Sequence, residues 1–200
     1  MFRRFRLFRS TTFLALAALS LVATSCAKKS STETSMSAES TATPTAQAPA
    51  LTDGNIVAIF VAANDADVKN GQQAKTKSKN TQVKSFADRM IQDHGAANKE
   101  ATDLAGRLNI TSEDNDASRQ LISDTDAMRD SLSQMSGAAY DKNYIDDEVA
   151  IHEKVLDTLD KALIPNAQNP ELKSLLMHAR DIVQSHLDHA KSIQGQLASK

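Results

Sequence analysis

The chain has 200 residues with 23 basic and 25 acidic side chains, a formal net charge of −2. Four Pro, six Gly, no Trp and 4% aromatic residues provide too few turn formers and pleat-filling rings for an all-β domain. Residues 1–25 hold Arg3, Arg4, Arg6 and Arg9 and no acid, so the remainder is acidic, 19 basic against 25 acidic groups, with only four aromatic rings. It lacks both the basic footprint and the stacking platform of a nucleic-acid binder, and no nucleic-acid partner is expected.

The first 25 residues read as an export signal: a basic start, an apolar stretch over Phe13–Ala23 interrupted by Ser20, and the small residues Ala23, Thr24 and Ser25. Eleven helical residues rise roughly 16 Å, about half of a ~30 Å hydrocarbon core, so a signal peptide fits better than a membrane span. Arg6 stands where a twin-arginine signal carries an apolar residue, which favours the general secretory route. Cys26 is the only cysteine, which excludes an intramolecular disulfide.

Val22-Ala23-Thr24-Ser25-Cys26 resembles the lipobox of bacterial lipoproteins. That resemblance implies cleavage before Cys26, lipid attachment there, and a stable membrane anchor made of two or more acyl chains. An ordinary signal peptide cut nearby, leaving a soluble exported protein, is the alternative. In a Gram-negative cell, Ala27 after the cysteine resembles an outer-membrane sorting signal, with the protein facing the periplasm. Eighteen of the 24 residues from Ala27 to Ala50 are Ser, Thr, Ala or Pro, and only Met36 is a large apolar side chain. Residues 26–51 are therefore expected to be an acylated cysteine and a disordered tether, since such a run buries too little surface to offset its ordering entropy.

Residues 52–200 form one domain with helical periodicity throughout. Thr52-Asp53 starts a helix over about 55–78, with Ile56, Phe60, Ala63, Asp67, Gly71 and Ala74 in line. A second helix over 81–108 carries the cleanest stripe: Val83, Ala87, Met90, His94, Ala97, Ala101, Leu104 and Leu108. The polar stretch 111–116 opens a third helix using Ala117, Leu121, Met128 and Leu132, which Gly137 is expected to break. A fourth, over 138–163, aligns Asp141, Ile145, Glu148, His152, Val155, Leu159 and Ala162. The Pro165–Pro170 segment ends it, and Asn169 caps a last helix whose stripe runs Leu172, Leu176, Ala179, Val183, His186, Ala190, Ile193 and Leu197. Short links make helices one and two, and four and five, antiparallel neighbours. The expected fold is all-α, an up-down four-helix bundle with one extra helix.

Polar groups within apolar stripes carry the chemistry, because burying them unpaired costs free energy. His94, His152 and His186 lie on three different helices, Asp67 on a fourth, and Glu148 one turn before His152. Three readings stand side by side. The histidines form a hydrogen-bonded layer with Asp67, Glu148 or Tyr144 that fixes helix register. Alternatively, His94, His152 and His186, with Asp67 and Glu148, bind a transition metal such as Fe, Mn, Zn or Cu. In the third reading they sit at different heights and never meet. Glu148 and His152 are spaced i, i+4, whereas di-iron bundles use Glu-x-x-His, so ferroxidase or oxygen chemistry is not expected. His178 and His189 are assigned to the surface or its boundary, Met90 and Met128 to the core, and Tyr140 and Tyr144 to the entrance of helix four with wet hydroxyls. The acids around 114–130 and 146–147 read as a solvated face. No catalytic triad or phosphate loop is recognisable, and no enzyme activity is expected.

Val83-Lys84-Ser85-Phe86-Ala87-Asp88-Arg89-Met90-Ile91-Gln92-Asp93-His94 is similar to the "VK-x-FA-x-x-M-x-x-DH" stretch of a bacterial envelope family, domain of unknown function 4142. Asp141-Lys142-Asn143-Tyr144-Ile145 with His152 resembles its "FD-x-x-YI … H" stretch, with Tyr140 in place of Phe. His186-Leu187 matches its last-helix histidine, and Asn64 to Asp67 its "AN-x-x-E" start, with Asp67 in place of Glu. The resemblance spans roughly residues 52–197 and implies a ferritin-like bundle and an envelope location, often labelled outer membrane, with no established activity. The expected role is thus a lipid-anchored structural or interaction module in envelope or stress physiology, with an unidentified envelope protein as partner. The alternative is a transition-metal-binding bundle, and a pocket for a small apolar ligand between helices is a third possibility.

Overall fold

The computed structural model describes residues 51–199; the expected signal peptide, Cys26 and the tether through Ala50 lie outside them. Helix α1 spans Asp53–Lys77, α2 Thr81–Leu108, α3 Asp116–Ser133, α4 Gly137–Thr158 and α6 Pro170–Ala198. Between α4 and α6 a π-helical turn, Leu159–Leu163, runs into the short α5, Ile164–Asn166. The described residues contain no strand, and none of their helices is long and apolar enough to cross a membrane.

Polar residues set the helix starts. Thr52 and Asn55 form a reciprocal capping box on α1, Asn115 and Ser118 do the same on α3, and Asn80 and Asn169 cap α2 and α6. The boundaries of α2 and the start of α6 fall where the sequence puts them. Helix α3 instead ends at Ser133, before Gly137, which has φ +59° and opens α4 in a conformation that suits a residue without Cβ. Helical structure after α4 reaches Asn166, past Pro165. Proline cannot donate to the carbonyl one turn back and crowds it, and the wider π turn ending at Leu163, two positions before Pro165, accommodates that defect.

Cross-links between helices give their directions. Asp65–Asn98 and Lys75–Asp88 join α1 to α2 antiparallel. Gln194–Asp146 and Arg180–Asp160 do so for α6 and the α4–π segment, and Arg89–Ser185 and Arg107–Glu171 for α2 and α6. Helices α1, α2, α6 and α4 thus form a ring in which each neighbour runs opposite to the next. The parallel pair α2 and α4 lie diagonally, so the chain must return along the bundle between them. Helix α3 makes that return beside α1, parallel to it, tied by Gln73 to the Arg129 carbonyl and by Asn115 to the Asn55 carbonyl. Two hairpins joined by one long crossover is the connectivity of ferritin-like bundles, and α3 is the extra helix.

This position of α3 buries α1 on nearly every side: Ile56 to Phe60, Ala62, Asn64, Ala66, Asp67, Asn70, Gly71 and Ala74 are all buried. Gly71 permits close approach to α2, since a Cβ there would lie 2.9 Å from the Ala87 carbonyl oxygen. Helix α3 itself contributes only Leu132 and Ser118 to the buried interior, and Ala117, expected on its apolar face, is exposed. The core continues through Phe86, Met90, Ile145, Leu159, Leu172, Leu176 and Ile193.

Candidate metal centre

Asp67 comes from α1, His94 from α2, Glu148 and His152 from α4, and His186 from α6, and each is at most 5% exposed. One ring nitrogen from each of His94, His152 and His186 lies within 4.8 Å of those from the other two. The histidines therefore share one height, and the reading that separates them along the axis does not hold. A carboxylate oxygen from Asp67, another from Glu148 and a nitrogen of His152 likewise fall within 4.8 Å of one another, so His152 belongs to both sets. All five residues singled out in the sequence meet in one polar layer.

Each imidazole has one nitrogen held by the protein. His94 Nδ1 lies 2.7 Å from Asn64 Oδ1 and 3.5 Å from Asp67 Oδ2. His152 Nδ1 donates to the Glu148 backbone carbonyl at 2.8 Å, and His186 Nε2 pairs with Asp93 Oδ2 at 2.8 Å. The opposite nitrogens, His94 Nε2, His152 Nε2 and His186 Nδ1, are buried without a hydrogen-bond partner in the protein. Anchoring one nitrogen to an oxygen acceptor fixes the tautomer and leaves a lone pair on the other, which is how metal-ligating histidines are oriented. Burial holds all three imidazoles down at about 4, so they are neutral and able to donate those lone pairs at neutral pH.

The carboxylates carry the same signature. Burial raises Asp67 to about 6 against the opposing pull of His152, and burial together with the Asp67 charge pushes Glu148 well above its ordinary range. Asp67 Oδ1 and both Glu148 side-chain oxygens have no hydrogen-bond partner in the protein. Asn64, Asp67 and Asn70 recur at i, i+3, i+6 on α1, the first two against His94; Asn70 is 1% exposed and both of its side-chain polar atoms are unpartnered. Tyr144 is buried with an unpartnered hydroxyl, stacked on Tyr140 at 6.1 Å, while Tyr140 donates to Gln73 at 3.3 Å. Neither tyrosine hydroxyl is wet, because α1 and α3 cover this end of α4.

The residues fit a metal ion. Ligands 2.0–2.1 Å from a tetrahedral ion lie roughly 3.4 Å apart, which modest ring rotation reaches from an upper separation of 4.8 Å. Sequence reasoning assigned no role to two supporting residues. Asp93 is 32% exposed and pairs with both His186 and Arg89; these hydrogen bonds outweigh partial burial and hold its carboxyl below the ordinary range. The family-like stretch Asn64 to Asp67 includes Asn64, but the helix-one stripe takes its neighbour Ala63, which is only half-buried; the spacing of Asn64 to Asp67 and Asn70 is the signal that marks its role. Asp141 is buried but joins neither convergent set, His178 is exposed, and His189 is half-buried against Phe86 at 5.4 Å.

Comparison with known proteins places the chain in a family. The profile "Domain of unknown function (DUF4142)" matches residues 38–193. Among solved structures, a DUF305 protein from Streptomyces coelicolor, described as secreted, aligns with a TM-score of 0.63 and 10% identity, covering 73% of this chain and 93% of its own. CopM in its Cu(II)-bound form aligns with a TM-score of 0.57 and 15% identity, covering 73% of this chain and 98% of its own. At these identities the likeness is one of fold. No curated protein matches the chain. The chain belongs to the DUF4142 family.

Proposed function

We propose that this DUF4142 protein binds a transition-metal ion at mid-bundle through His94, His152 and His186, with Asp67 and Glu148 as adjacent oxygen donors. The observation that carries this reading is the set of three bare, buried ring nitrogens, each opposite a nitrogen already anchored to an oxygen acceptor. A purely structural polar layer would have those nitrogens hydrogen-bonded, since an unpartnered buried acceptor costs about 1–3 kcal/mol. Neutral imidazoles suit Cu, Zn, Fe or Ni, and the neighbouring carboxylates extend the range to Mn. A bound ion would supply Lewis acidity or one-electron chemistry, and the protein would orient the imidazoles through Asn64, Asp93 and the Glu148 carbonyl. The copper-bound state of the similarly folded CopM makes copper the first metal to try.

The same reading includes export and lipid attachment at Cys26. The basic and apolar leader, the lipobox-like Val22–Cys26 and the Ser/Thr/Ala/Pro tether support a bundle held off a membrane surface, at the outer membrane and facing the periplasm in a Gram-negative cell. An envelope protein partner remains part of the proposal.

The test is equilibrium dialysis of the exported, tag-free protein against Cu(II), Zn(II), Fe(II) and Mn(II), followed by elemental analysis. One ion per chain is expected in the parent, with at least tenfold weaker retention in His94→Ala, His152→Ala and His186→Ala. Equal metal content in the parent and all three variants would refute it.

A further inference from the structure

A cavity of about 30 Å³ adjoins the histidine layer on the side of Asp67 and His94. Its larger apolar walls are Phe60 from α1, Val155 from α4 and Ile182 and Val183 from α6; α2 supplies Asp93, His94 and Ala97. Small side chains at Ala63 and Ala97 keep it open. Its volume exceeds the ~10–15 Å³ that a single water needs, which leaves room for a small linear ligand.

The three histidines form one convergent set and the carboxylates of Asp67 and Glu148 a second that shares only His152, so an ion on the histidine set alone has three protein ligands and, if tetrahedral, one unfilled position, as in sites that bind an exogenous ligand. We infer that a metal held by His94, His152 and His186 keeps an exchangeable position for a small anion or water, reached through this cavity; the inference rests on the metal-binding reading. The apolar walls select by size and favour weakly hydrated ligands, since a strongly hydrated one would shed its water shell without replacement hydrogen bonds. The alternative is closure of the fourth position by Asp67, which borders the same cavity.

Azide is the probe, added to the copper-loaded protein and followed by the azide-to-copper charge-transfer absorption. Saturable binding of one azide per copper is expected in the parent. Ala97→Leu, which fills the cavity from α2, should retain copper at the parent stoichiometry and bind azide at least tenfold more weakly, while Ala97→Ser keeps parent affinity. Ala63→Leu fills the cavity from α1 and carries the test if Ala97→Leu does not fold. Copper-loaded parent without an azide band, or unchanged azide affinity in the filled variants, overturns the open position and leaves the metal site standing. Parent that retains no copper before azide is added overturns the metal-binding reading itself, and this inference with it.

Discussion

Replacing His152 with Leu is expected to stabilise the metal-free protein while abolishing the stabilisation that metal confers. His152 is 1% exposed, and its one hydrogen bond runs from Nδ1 to the Glu148 carbonyl, an oxygen positioned to accept the α-helical N–H as well. Losing that bond costs about 1 kcal/mol, and removing the unpartnered Nε2 returns about 1–3 kcal/mol, because no buried polar atom is left behind. The net gain is about 1 kcal/mol, or roughly 2–4 °C in Tm for a domain of this size. Metal at a hundred times its Kd stabilises the parent by about 2.7 kcal/mol, roughly 5–11 °C. The assay is a pair of thermal melts for parent and variant, with chelator and with metal. With chelator the variant should melt at or above the parent, and with metal well below it. A variant destabilised by more than about 2 kcal/mol in chelator would mean that the imidazole is a structural element, since only the loss of a satisfied polar contact or of packing costs that much.

Asp67→Asn is expected to stabilise the metal-free protein at pH 8 by up to about 3 kcal/mol, because a carboxyl raised from 3.8 to about 6 makes folding less favourable once it ionises. The sign follows from proton uptake: between pH 3.8 and 6 the folded Asp67 holds more protons than the unfolded one, so its penalty disappears on acidification and the gain should vanish near pH 4. A gain independent of pH in urea titrations would refute this assignment. The histidines act oppositely, since their folded values near 4 lie below 6.5; their contribution is complete above pH 6.5 and is lost as pH falls toward 4. His152→Leu should therefore lose less stability than the parent between pH 6.5 and 4, measured by the same titrations. Asp93→Ala and Asn64→Ala should each weaken metal retention about 10–100-fold without removing a ligand, read by competition with a chelator. Gly71→Val should destabilise by at least about 1–3 kcal/mol, because its Cβ meets the Ala87 backbone oxygen at 2.9 Å; unchanged Tm would mean α1 and α2 separate freely.

The helices and the five polar core residues were legible because both follow from local rules. A histidine at a stripe position, such as His94 between Met90 and Ala97, stands out against the period of its own helix. Start signals likewise announced α1, at Thr52-Asp53, and α6, at Asn169. What was hidden depends on the third dimension. Helix α1 buries residues on nearly every side because α3 covers its outer face, so Asn64 and Asn70 fall off the single stripe that helical periodicity picks out. Asp93 lies one position off the helix-two stripe, and only the antiparallel docking of α6 on α2 brings it to a histidine 93 residues away. The same covering explains the dry hydroxyl of Tyr144, which the sequence places at a wet helix entrance.

X-ray absorption on the copper- or zinc-loaded protein tests the central claim most directly, since it counts imidazoles around the ion. Three imidazole nitrogens at about 2.0–2.1 Å, with their outer-ring scattering, are expected. In His186→Ala the imidazole count should fall to two. A shell of oxygen alone, or an imidazole count unchanged by that substitution, would contradict the site built from His94, His152 and His186.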